Sequence, residues 1–209
     1  MKDLLSPFLL IVLAVGLWFI IFSPVTQNFA NFWALLTAST IILSSLGYLL
    51  DRQEMKGLLR FQIKPVLAGV ISVPVLYAIF FIGYRGVNIV MGQSGEVMVE
   101  VVYHSRAQAS LWLISLLLLF IIGPCEEIFW RGFLQRRLSR ISGQVGGLIS
   151  ATLVYGLVHA WSGNPVLIIA AGVAGLSWGI LFSITKSLWA PILSHALWDL
   201  SVFVLFPLI

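Results

Sequence analysis

Long apolar runs, separated by short polar breaks, organise this chain from end to end. Seven runs lie at about 4–22, 29–50, 65–84, 107–123 continuing into 126–140, 144–161, 165–184 and 188–207, and each is long enough to cross a bilayer or nearly so. An α-helix rises 1.5 Å per residue, so about 20 apolar residues cover the hydrocarbon core. The pattern predicts an all-α fold: a polytopic membrane helix bundle of about seven to eight transmembrane helices around a polar cavity inside the bilayer. It reads as a single integral membrane domain over 1–209, with N-terminal helices in 1–106 and the chemistry-bearing helices in 107–209. The first run follows Met1-Lys2-Asp3 and has no clear small-x-small cleavage site before Asn31, so it reads as a retained signal anchor.

Two connections are longer than a turn. GLLRFQIK mixes apolar and basic residues and is expected along the inner interface. Residues 86–105 form an outer loop whose second half alternates like a short strand. Near the end, Ala171, Gly175 and Gly179 recur every four residues, a small-residue stripe that lets helix backbones approach closely.

Composition agrees with the pattern. The 209 residues are 60% hydrophobic and 10% charged, which excludes a soluble domain of this length. The net charge of +4 is not a nucleic-acid signal, because the cations fall in short runs between apolar segments. Arg52, Lys56, Arg60, Lys64, Arg136, Arg137, Arg140 and Lys186 all lie on one side if the N-terminus is cytoplasmic, and Arg85 and Arg106 lie on the other. The positive-inside rule therefore predicts that orientation. Cys125 is the single cysteine, so no internal disulfide is available, and a lone thiol of this kind is usually a small buried apolar group. Trp130, Trp161, Trp178, Trp189 and Trp198 read as helix-packing or interfacial-belt residues.

Ionisable groups within apolar helices are expensive and mark function by default. Beside Arg131, the chain places Glu126, Glu127, His159, His195 and Asp199 in such segments. Glu127 and Arg131 are four apart and can pair on one helix face. Glu126 is rotated about 100° from Glu127, so one arginine is not expected to serve both. One glutamate is then structural and the other free. His195 and Asp199 repeat the four-residue relationship, which lets a carboxylate orient an imidazole. Counted from the inner surface, Glu126 and His159 come out at roughly 20 Å and His195 at roughly 10 Å. A buried glutamate with two imidazoles suits hydrolysis by activated water, with one imidazole holding the water and the other steadying an oxyanion. The same groups form the His₂Glu set of a catalytic zinc site, although the HExxH spacing is absent. A proton-coupled transporter is a third reading.

Glu126-Glu127-x-x-x-Arg131, then Tyr155-x-x-x-His159, then His195-x-x-x-Asp199, in that order, resemble the CAAX-prenyl-protease and bacteriocin-processing family, often called CPBP or Abi. The three motifs span residues 126–199. The resemblance implies an intramembrane endopeptidase acting on a membrane-associated peptide or protein in the lipid bilayer, with no nucleic-acid partner, in a bacterial or archaeal cell membrane. It implies that Glu126 and His159 activate water, that Glu127 and Arg131 support the site, and that His195 with Asp199 forms the oxyanion pocket. No cofactor is favoured; were zinc bound, its ligands would be Glu126, His159 and His195. Tyr155 stands where the family more often has Phe, and Asp199 where several members have Asn. An ionised Asp199 cannot donate to an oxyanion, so orientation of His195 is its expected role. The alternative is a catalytically silent membrane scaffold or bacteriocin-immunity protein.

Overall fold

The structure, a computed structural model, describes residues 2–26 and 29–209, with side chains from Leu5 onward. It is a polytopic helical bundle, and no strand occurs among the described residues. Helices α1 (Lys2–Phe22) and α2 (Phe32–Leu50) are followed by the short α3 (Arg52–Leu58) and the long α4 (Ile63–Met91). Then come α5 (Gln93–Tyr103), α6 (Leu111–Leu117), α7 (Gly123–Glu127), α8 (Arg136–Val158), α9 (Pro165–Thr185) and α10 (Trp189–Leu200). By length and composition, five helical stretches among the described residues can cross a membrane: Leu5–Phe22, Phe32–Leu50, Ile63–Met91, Leu111–Ser162 and Pro165–Thr185. The fourth, of 52 residues, is broken at Gly143, whose φ of 75° lies outside the helical region. It therefore contributes two helical arms. The shorter apolar stretch Trp189–Leu205 completes the bundle.

The strand expected in the outer loop is instead helical. The third apolar helix runs on to Met91, Gly92 reverses the chain at a φ of 55°, and α5 follows directly. The alternating valines misled because Val97, Val99 and Val101 satisfy a two-residue period. What the fold buries is Gly95 and Val99, spaced by one helical turn. Gly95 lies so close to α4 that a Cβ there would sit 2.6 Å from a methyl of Val87.

Local chemistry explains the irregular helix through the acidic motif. Pro124 has no N–H to give to the fourth preceding carbonyl, and its ring crowds that carbonyl. The chain opens into a wide π turn at Leu118–Ile122, tightens over α7, and opens again at Ile128–Gln135. The small-residue stripe of α9 faces α8 and this wide segment. A Cβ on Gly175 would sit 2.8 Å from Tyr155 Cδ1, and one on Gly179 would sit 2.5 Å from Leu148 Cδ1. The glycine backbone carbonyls are then within reach of side chains: Arg131 Nη2 donates to Gly175 O at 3.0 Å, and Gln135 Nε2 to Gly179 O at 3.0 Å. α10 packs chiefly on α4, where Gly69 is pressed against Ala190.

Candidate active site

All the polar groups read from the motifs are buried, and they fall into two hydrogen-bonded sets. The first is centred on Glu127, which is fully buried. Its Oε1 accepts from Arg131 Nη1 at 2.8 Å and lies 2.7 Å from His195 Nδ1. A carboxylate only accepts, so the Nδ1 of His195 carries a proton and donates. Asp199 Oδ2 lies 3.4 Å from His195 Nε2, too long for a strong bond. The carboxylate that chiefly orients His195 is thus Glu127, with Asp199 flanking the other nitrogen. The expected neighbour Asp199 is therefore joined by a second carboxylate that spacing did not indicate.

The second set is centred on Tyr155. Its hydroxyl donates to Glu126 Oε2 at 3.0 Å, and its backbone carbonyl lies 2.8 Å from His159 Nδ1. A carbonyl cannot donate, so His159 carries its proton on Nδ1 and keeps the lone pair on Nε2. That lone pair accepts the indole N–H of Trp18, from α1, at 3.3 Å. Among the described residues, no direct hydrogen bond joins Glu126 to His159 or to His195. The two sets meet through the Tyr155 ring, which lies beneath the Arg131 guanidinium at 4.9 Å from its centroid. Among the described residues Glu126 makes no ion pair, whereas Glu127 pairs with Arg131; the rotation between neighbours on a helix separates their roles.

Tryptophans build the walls. Trp178 stacks on His195, ring centroids 3.6 Å apart and planes 16° off parallel, while its N–H donates to Ser194 Oγ at 3.2 Å. Trp130 packs edge-on against Trp18 and Tyr155. Spacing alone does not reveal Trp18, which lies over a hundred residues from its histidine, nor the intimacy of Trp178 with His195. Behind Trp178 and Ser194 lies a cavity of about 160 Å³, walled by aliphatic side chains of α4 and α9.

In this arrangement the side chains of Glu126, His159 and His195 are not grouped as one ligand set. Both nitrogens of His159 are engaged, by a carbonyl and by an indole, and both nitrogens of His195 face carboxylates. Among the described residues, no three His, Cys, Asp or Glu side chains converge as metal ligands.

No curated protein and no solved structure matches the chain. Residues 108–201, however, match a family model described as Type II CAAX prenyl endopeptidase Rce1-like, a protease family. The matched stretch holds every polar motif residue of both hydrogen-bonded sets and leaves Trp18 outside it. Across those residues the chain is similar to the Rce1-like family.

Proposed function

We infer that the protein is an intramembrane endopeptidase that hydrolyses a peptide bond of a membrane-associated protein or peptide through a water activated by Glu126 and His159. The observation that carries this reading is the state of Glu126: a buried carboxylate with one oxygen held by Tyr155 and, among the described residues, no ion pair. Such a group in lipid is costly to keep unless it does chemistry. Oε2 is fixed by the tyrosine, which leaves Oε1 to take a proton from water. His159 Nε2 is the acceptor that holds the water's second hydrogen, so the Trp18 indole must turn aside when water enters. At 3.3 Å that bond is long for an N–H donor and readily exchanged. His195, braced by Glu127 and stacked on Trp178, acts as an imidazolium whose Nε2–H donates to the carbonyl oxygen as negative charge develops. Asp199 flanks that nitrogen. The proton held by Glu126 passes to the leaving amine, which restores the carboxylate. The membrane orientation that fits the basic connections has the N-terminus in the cytoplasm.

The test uses purified protein with a quenched-fluorescence peptide bearing a farnesylated cysteine and three residues beyond it, beside the unprenylated peptide. Cleavage should disappear in Glu126→Ala and His159→Ala and persist in strong chelator. Full cleavage by Glu126→Ala protein would overturn the proposed base. Loss on chelation, restored by zinc, would overturn the metal-free water.

The occupied lone pair of His159 also suits the silent-scaffold alternative, since a resting site closed by Trp18 need never open. Complementation of a deletion strain by Glu126→Gln protein would favour that alternative; failure to complement favours catalysis.

A further inference from the structure

The connection between α2 and α4 has two faces with different chemistry. Its acids, Asp51 and Glu54, turn toward α8, where Asp51 pairs with Arg136 and Arg137 and Glu54 pairs with Arg136 and Arg140. Its cations do not. Arg52, Lys56, Arg60 and Lys64 are all exposed, and none makes an ion pair among the described residues. Phe61, Ile63 and Leu67 are also strongly exposed and lead into the lipid-facing side of α4. The four charges therefore sit at the boundary where an aqueous face meets hydrocarbon.

The same connection holds the start of α10. Leu188 N donates to Leu58 O at 3.0 Å, and Trp189 Nε1 donates to Leu59 O at 2.8 Å. The Phe61 ring meets the Trp189 ring edge-on at 5.8 Å. Lys186, exposed and held in a left-handed conformation at a φ of 52°, immediately precedes that junction and adds a fifth cation. α10 carries His195 and Asp199.

We propose that Arg52, Lys56, Arg60, Lys64 and Lys186 form a seat for anionic phospholipid headgroups, and that lipid bound there steadies the carbonyls of Leu58 and Leu59 against α10. A lipid phosphate suits the place better than a soluble anion, because the cations are interleaved with side chains that belong in acyl chains. Each basic residue near a bilayer surface favours an anionic over a neutral surface by roughly fivefold. The preference falls as salt shortens the screening length. This inference does not rest on proteolysis, and its test reads lipid and backbone rather than cleavage.

The experiment places the full chain in nanodiscs of phosphatidylcholine alone or with 30% phosphatidylglycerol. Two quantities are read: phosphatidylglycerol retained by the protein in native mass spectrometry, and amide exchange at Leu188. Phosphatidylglycerol should be retained preferentially and should slow Leu188 exchange at least tenfold. Changing all five cations to Gln should abolish both effects, while Arg52→Lys with Arg60→Lys keeps both. In the unmodified protein, 0.5 M salt should weaken the retention, a check that needs no variant. Equal exchange in the two lipids, or lipid selectivity that survives the five Gln substitutions or the salt, would overturn the proposal.

Discussion

Removing Arg131 is the sharpest test of how the buried charges are held. Arg131 donates to Glu127 and to the carbonyl of Gly175, and its guanidinium lies between the rings of Tyr155 and Trp178, 4.9 and 5.4 Å from their centroids. In Arg131→Met the side-chain volume is largely kept, but Glu127 is left fully buried with only His195 facing its Oε1 and no partner on Oε2. Breaking a buried ion pair in this way costs about 3–5 kcal/mol in soluble proteins. In a membrane the unfolded helices also find partners, so interhelical polar terms shrink. About 3 kcal/mol is therefore expected. Adding Glu127→Gln to Arg131→Met removes the stranded charge and should recover at least half of that loss. The assay is reversible unfolding in mixed micelles of the wild type, both single variants and the double variant. If Arg131→Met lies within about 0.5 kcal/mol of the wild type, near the small value typical of membrane hydrogen bonds, Glu127 is not held as an ion pair.

Three further outcomes follow from the geometry. Tyr155→Phe removes only the hydroxyl that fixes Glu126 Oε2, so kcat on the farnesylated peptide should fall about tenfold with KM unchanged, consistent with loss of one hydrogen bond of about 1–1.5 kcal/mol; an unchanged kcat would deny the bond a part in turnover. Trp18→Phe frees His159 Nε2 and should raise kcat, and a tenfold fall would show the indole to be a support rather than a plug. In the connection between α2 and α4, burial pushes the Asp51 carboxyl up. The Arg137 hydrogen bond and the charges of Arg136 and Arg137 outweigh that and hold it below its ordinary value of 3.8. With the folded value depressed, the clasp contributes fully above pH 3.8 and is lost as pH falls below it, so acid unfolding should lose part of its steepness in Asp51→Asn; identical acid titrations of the two proteins would contradict this.

Some of this arrangement was legible in the chain and some was not, and the boundary has a physical cause. The apolar runs announce the helices because hydrocarbon demands internally paired backbone over a fixed length. The Glu127–Arg131 contact follows from a four-residue spacing on one helix, so it could be read without knowing the fold. Ala171, Gly175 and Gly179 likewise mark the face where Arg131 and Gln135 reach backbone carbonyls. What spacing could not supply is contact between distant helices. Glu127 meeting His195 and Trp18 meeting His159 are set by how the bundle closes. The depth count placed His195 well below the glutamates, yet it touches one of them, because rise along a helix ignores tilt and where the helix begins. The valines of α5 satisfy both periods, and only packing against α4 chooses between them.

The bond from Trp18 bears on any attempt to borrow this chemistry. Residue 18 lies outside the stretch that carries the family's motifs, yet it is bonded to one of the histidines within that stretch. A graft of that stretch alone into a foreign scaffold would transplant an imidazole whose second nitrogen had lost its keeper. The first helix would have to travel with it.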